Sequence, residues 1–155
     1  MIFKLNLKKH KGIWFFGFSG SGKTYISKIL KKRVKSSVVI DGDNVRKLVS
    51  NDLGYSKNDR KTQIKRVFGI SKLIIESGKF PIISTVYMNK KVSDLCTKNK
   101  ILSLMVIRKN FVKIKKNYKI YTYKSNVVGK DIFYDNFKKS HFINDNTPLS
   151  IKLIK

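Results

Sequence analysis

The sequence predicts an α/β fold, a three-layer sandwich in which a mostly parallel sheet is flanked by helices. Short apolar runs alternate with segments of helical spacing, and those runs are rich in β-branched and aromatic residues. A glycine-rich turn separates the first apolar run from the first helical segment. Strands are expected at residues 12–16, 38–40, 80–86 and 101–107, whose continuous apolar character suits strands covered on both faces. Helical spacing falls between them, at about 23–32, 44–50, 59–77 and 90–98. The stretch 108–130 begins as a helix and ends irregular and basic. It reads equally as a short lid at about 108–128 and as a solvated surface excursion.

A chain of 155 residues fits one compact domain spanning 1–155. With 41% hydrophobic and 12% aromatic residues it has the composition of a folded protein, which excludes the disordered class. One cysteine, Cys96, cannot form an internal disulfide and is expected to be buried rather than reactive, which suits a reducing cytoplasm. The basic N-terminus is followed by an apolar run at 13–18 that is too short for a signal peptide, is broken by Gly17 and lacks a small-residue cleavage site. No apolar stretch reaches the roughly 18 residues needed to span a bilayer.

The net charge of +26 attracts polyanions, so nucleic acid, an anionic surface and nucleotide substrates all enter as partners. The lysines, however, are scattered along a chain also rich in Ile and Asn, as biased base composition gives. No nucleic-acid motif or stacking platform accompanies them, so nucleic acid is not the expected partner. His10 and His141 stand alone and are expected to be structural. The sequence leaves open whether the protein forms a homodimer.

The stretch "GFSGSGKT", Gly17 to Thr24, matches the phosphate-binding loop G-x-x-x-x-G-K-[ST] in full, and it lies between "IWFF" and "YISKILKK", the strand and helix that the motif requires. The fold is therefore that of a P-loop NTPase. Gly17, Ser19, Gly20, Ser21 and Gly22 would turn backbone N–H groups onto the phosphates of ATP, aided by the helix that follows. Lys23 would reach the terminal phosphates and the Thr24 hydroxyl would hold Mg²⁺.

Acidic residues are scarce, yet Asp41, Asp43, Asp52 and Asp59 fall within twenty residues. Asp41 and Asp43 lie at the C-terminal end of the second expected strand, where a parallel sheet places its ligands. Alternation along an extended chain would point both the same way. One carboxylate, Asp41, would then hold a Mg²⁺-bound water, and the other, Asp43, would accept the proton of an attacking hydroxyl. Asp43 also precedes "NVRKLV", where it could cap a helix, a role compatible with catalysis.

With "DGDNVR", "NDLGYSKNDR" and "IKR" following "GFSGSGKT" in order, the chain resembles the adenylylsulfate kinase family. The resemblance covers about residues 12–86 and returns at 126–146, "NVVGKDIFYDNFKKSHFINDN". It implies phosphorylation, by ATP, of the ribose 3'-hydroxyl of adenylyl sulfate. Residue by residue it implies that Asp41 and Asp43 are the paired aspartates and that Arg46 and Arg60 bind the anionic end of the acceptor. It also implies that Tyr55 stacks on the base in place of a phenylalanine, and that Gln63 stands for a substrate-contacting asparagine. Asp52 and Asp59 would frame the acceptor loop as an arginine partner and a helix cap.

The departures from the family lie mostly on the acceptor side. Gln63 and Lys65 replace an asparagine and an arginine, and Tyr87 in "VYMNK" stands where the family has a serine. The lid offers only "KNYKIY", and "LSIKLIK" is expected to leave no room for the family's final helix. The pattern is similar to a branch that phosphorylates CDP-phosphoramidate in surface-polysaccharide pathways, which stands as the alternative acceptor. A basic ATP-binding protein without kinase turnover is the further alternative.

Overall fold

The computed structural model describes residues 2–154. Five parallel strands form the main sheet in the spatial order β3-β4-β2-β5-β6: β2 (Gly12–Phe16), β3 (Ser37–Asp41), β4 (Phe80–Thr85), β5 (Ile101–Arg108) and β6 (His141–Asn144). Helices α1 (Lys23–Arg33), α2 (Gly42–Leu48), α3 (Lys57–Glu76) and α4 (Lys90–Lys98) make the crossovers. Helices α5 (Phe111–Lys115) and α6 (Lys119–Tyr123) follow β5. A separate parallel pair joins β1 (Ile2–Asn6) to β7 (Ser150–Ile154).

The central strand explains the layering. Every residue of β2 is buried, and alternation sends Trp14 and Phe16 to one face of the sheet and Ile13 and Phe15 to the other. Trp14 and Phe16 pack with Val45 of α2, Ile64 and Val67 of α3, and Val92 and Cys96 of α4. Ile13 and Phe15 pack with Ile26 and Leu30 of α1 and with Phe3, Leu5 and Ile151 of the β1–β7 pair. Burying a large apolar side chain stabilises by roughly 1.5–3 kcal/mol, so these two clusters hold the strand that carries the phosphate loop.

The four expected strands and four expected helices are all present. Helix α2 begins at Gly42, two residues earlier than the apolar pattern indicates, because Asp41 caps it: Asp41 Oδ1 accepts from the N–H of Asp43 at 3.0 Å and of Asn44 at 3.4 Å. Ser56 and Asp59 form a reciprocal capping box on α3, the cap expected of Asp59. Strands β1, β6 and β7 were not expected, since their alternating exposed and buried positions give no continuous apolar run. Among the described residues no helix is long and apolar enough to cross a membrane.

Candidate active site

The C-terminal ends of β2, β3 and β4 open into one cavity of about 360 Å³, the position at which parallel α/β sheets hold ligands. It is lined by Ser19, Gly20, Gly22, Lys23, Thr24, Asp41, Asp43, Arg46, Tyr55, Arg60 and Gln63. The structure thus brings together all the expected site residues except Gly17 and Ser21, which shape the loop from behind. Ser21 is buried, and a Cβ on Gly17 would run into the carbonyl of Val106.

At the phosphate-loop end, α1 starts from Gly22, which has φ +97° and caps the helix without a side chain. Gly20 has φ +83°, and an added Cβ would lie 2.6 Å from the Tyr118 ring, so only glycine fits between the loop and that ring. Lys23 is buried and its ammonium donates to the carbonyl of Phe18 at 2.8 Å and to Ser21 Oγ at 3.4 Å. Burial pushes its pKa down to about 8, with Asp43 and then Asp41 pulling the other way. An amine so placed is one whose charge a phosphate would restore.

The two aspartates do not lie on an extended chain. Asp41 ends β3, while Asp43 sits in the first turn of α2, so the alternation argument fails although both carboxylates reach the cavity. The cap is Asp41 and not Asp43. This frees the Asp43 carboxylate, which acts electrostatically on Lys23 on one side and Arg60 on the other.

At the far end, the Tyr55 ring is half exposed with the Arg46 guanidinium 4.7 Å and that of Arg60 5.6 Å from its centre. Each arginine also ties down a main-chain segment: Arg46 donates to the carbonyl of Gly54, and Arg60 to that of Asn126 at 2.7 Å. Burial, followed by the neighbouring Arg46, lowers the pKa of Arg60. Asp52 takes both Nη atoms of Arg66, the arginine partnership expected of it, and that pair holds its carboxyl below the usual range. Gln63 Nε2 donates to the carbonyl of Gly42 at 3.0 Å, linking α3 to the turn that carries the aspartates.

Arg108 and Tyr118 line the cavity, and Tyr121 and Asn144 hold its phosphate loop, yet all four lay outside the sequence-based set. Arg108, the last residue of β5, donates from Nη1 to the carbonyl of Gly20 at 3.2 Å and to the Tyr118 hydroxyl at 2.9 Å, and from Nε to Asn146 Oδ1 at 2.9 Å. Tyr121 donates to the carbonyl of Ser19 at 3.0 Å, and Asn144 to that of Ser21 at 2.9 Å. Arg108 had one legible signal, its place at the end of an expected strand. Tyr118 and Tyr121 had none beyond lying in the candidate lid. Cys96 is buried as expected, and burial drives its thiol up to about 12. Burial, then Lys9, lowers the His10 pKa.

The chain is 37% identical over 101 residues to the adenylyl-sulfate kinase of Bacteroides fragilis, covering 61% of this chain and 50% of that one. It is 42% identical over 78 residues to the adenylyl-sulfate kinase of Staphylococcus haemolyticus, covering 48% of this chain and 39% of that one. The chain therefore spans about half the length, or less, of these curated relatives. Among solved structures, an APS kinase of Mycobacterium tuberculosis in complex with AMPPNP and APS shares the fold, with a TM-score of 0.73 at 23% identity over 90% of this chain and 91% of that one. The family model described as adenylylsulphate kinase matches residues 9–118, which include the phosphate loop, both aspartates and the Arg46–Tyr55–Arg60 group, and the chain belongs to that family.

Proposed function

We propose that the protein is an ATP-dependent kinase that phosphorylates the ribose 3'-hydroxyl of a nucleotide, with adenylyl sulfate as the acceptor. One observation carries the reading: a single cavity joins the phosphate loop to the Arg46–Tyr55–Arg60 group, with Asp41 and Asp43 between them. ATP phosphates would lie on the loop N–H groups and Lys23, and a flat base beside Tyr55 would leave its anionic tail to the guanidinium groups. The sugar hydroxyl would then fall near Asp43, which takes its proton as the phosphoryl group is transferred. The segment 108–128, whose Tyr118 and Tyr121 already contact the loop, would act as the lid that excludes water.

Thr24 and Asp41 supply a hydroxyl and a carboxylate to the cavity, hard oxygen donors that suit Mg²⁺. When bound, Mg²⁺ would neutralise charge on the transferred phosphoryl group. We place the protein in the cytoplasm, where a free cysteine stays reduced.

Gln63 and Tyr87, both in the cavity wall and both departures from the family pattern, favour CDP-phosphoramidate as the second reading of the acceptor. The test is ATP consumption by purified protein with Mg²⁺ and each acceptor in turn, with products identified by mass. Adenylyl sulfate should gain one phosphoryl group. Transfer only to CDP-phosphoramidate would reassign the acceptor, and transfer to neither with ATP binding intact would leave an ATP-binding protein without kinase turnover.

A further inference from the structure

The strands of the main sheet run parallel, so β2, β5 and β6 all begin at the edge opposite the candidate active site. A second cavity, of about 520 Å³, opens at that edge. Its cations come from three separate segments: Lys9 and His10 before β2, Lys100 before β5, and Lys138 before β6. The kinase reading uses none of them.

Main-chain hydrogen bonds fix these segments beside one another. The Lys11 N–H donates to the carbonyl of Lys100 at 2.8 Å, and the Met105 N–H to that of Ser140 at 2.8 Å. Lys100 follows the Asn99 cap of α4 with φ +57°, a left-handed position that glycine or asparagine usually fills. A lysine there also complements the dipole of α4, but Lys9 and Lys138 lie on no helix. Among the described residues the Lys9, Lys100 and Lys138 ammonium groups have no ion-pair or hydrogen-bond partner. Their field reaches into the cleft, since after burial it is Lys9 that lowers the His10 pKa. Hydroxyl groups line the same space. Ser93 Oγ and Ser103 Oγ lie 3.4 Å apart and only one donates to the other, which leaves one O–H free. Ser140 adds an exposed hydroxyl.

We propose that this cleft is a binding site for a small anion carrying two or more phosphate groups, held at the opposite end of the sheet from ATP. Its volume is that of a small-molecule pocket. Among the described residues no carboxylate lines it to repel an anion, and no arginine is there to grip a planar carboxylate with two parallel bonds. Lysines act instead as point charges, which suit phosphate. No Phe, Tyr or Trp among the described residues lines it either, so it lacks the stacking surface that holds single-stranded nucleic acid. Unpaired ammonium groups converging from separate segments match several negative charges better than one. Free inorganic oligophosphate and a sugar bisphosphate both present that chemistry.

Backbone-amide NMR resolves the cleft from the phosphate loop residue by residue. Inorganic triphosphate should shift the signals of Lys100, Ser103 and Ser140 saturably, apart from any shifts at the phosphate loop. Lys9→Gln/Lys100→Gln/Lys138→Gln, all at exposed positions, should weaken binding in the cleft about tenfold and leave the phosphate-loop signals and Tm unchanged. Lys28→Gln/Lys32→Gln/Lys35→Gln removes the same charge from another exposed surface and should leave the cleft's affinity as it was. Fructose 1,6-bisphosphate is the second probe. If it fills the cleft at lower concentration than triphosphate, a phosphorylated sugar is the source, and the reverse order assigns inorganic oligophosphate. Cleft signals that move with neither probe, or an affinity that falls equally in both triple variants, overturn the site. A short single-stranded DNA that shifts those signals at lower concentration than either probe overturns the small anion as its ligand.

Discussion

At the phosphate-loop end of the cavity, Phe18, Ser19, Gly20 and Ser21 each have their carbonyl taken by a side chain: Lys23, Tyr121, Arg108 and Asn144 respectively. At the far end, Arg60 Nε, Gln63 Oε1 and the Tyr87 hydroxyl are buried without a hydrogen-bond partner among the described residues. The loop is thus held in shape by contacts reaching it from β5, β6 and α6, before any nucleotide arrives. The far end ties Arg46 to Gly54, Arg60 to Asn126 and Gln63 to Gly42, and leaves other polar atoms of Arg60 and Gln63 unpaired. Preorganisation without a ligand favours tight, general phosphate binding, whereas orphaned polar atoms favour discrimination.

Substitutions on either side of this divide should separate the two halves. Asp43→Asn should lower kcat by about 10²–10⁴ while ATP affinity holds, because the carboxylate serves the proton and not the phosphates. Equal turnover in the two proteins would remove Asp43 from the chemistry. Lys23→Met should lower kcat by roughly 10²–10³ and also weaken ATP, as steady-state kinetics with varied ATP would reveal. A smaller and one-sided effect is expected of Tyr55→Ala, which should raise the acceptor KM about tenfold and leave the ATP KM alone. An unchanged acceptor KM would end the stacking role.

The smallest effect distinguishes the halves by protons. Lys23 titrates near 8 in the nucleotide-free protein, against an ordinary value of 10.5. Its charged form is therefore destabilised by folding, a cost present below about pH 8 and relieved as pH rises toward 10.5, so this group makes the free protein more stable across that window. Bound phosphate restores the charge, and ATP binding at about pH 8.5 should take up a fraction of a proton. Calorimetry in buffers of different ionisation enthalpy reads that uptake, and Lys23→Met should abolish it.

The two halves also differed in how far the sequence revealed them. The glycines, Lys23 and Thr24 are specified by local backbone geometry, so consecutive residues carry the whole signal. Asp41 and Asp43 were legible as a pair, but the helix cap fell to Asp41 and not Asp43, because the helix begins at Gly42 and turns Asp43 off the strand. Arg108 reaches Gly20 across 88 positions, and Tyr121 reaches Ser19 across 102, separations at which spacing carries no information. The partnerless hydroxyl of Tyr87 emerges only from packing, since nothing in "VYMNK" foretells that Tyr134 covers the ring and leaves the oxygen unpaired. β1 and β7 were missed for a similar reason: each is half apolar, and only their mutual pairing makes them strands.

Trp14 is the chain's single tryptophan, fully buried in the central strand, and its indole N–H donates to Thr85 Oγ1 at 2.8 Å. That hydroxyl in turn donates to the carbonyl of Tyr87, and both Thr85 and Tyr87 line the cavity. The protein therefore carries one tryptophan fluorophore, excitable apart from its tyrosines and wired by two hydrogen bonds to the wall where the acceptor would sit. Its emission is a label-free optical signal from a single known place, able to time the arrival of an acceptor separately from the chemistry that follows.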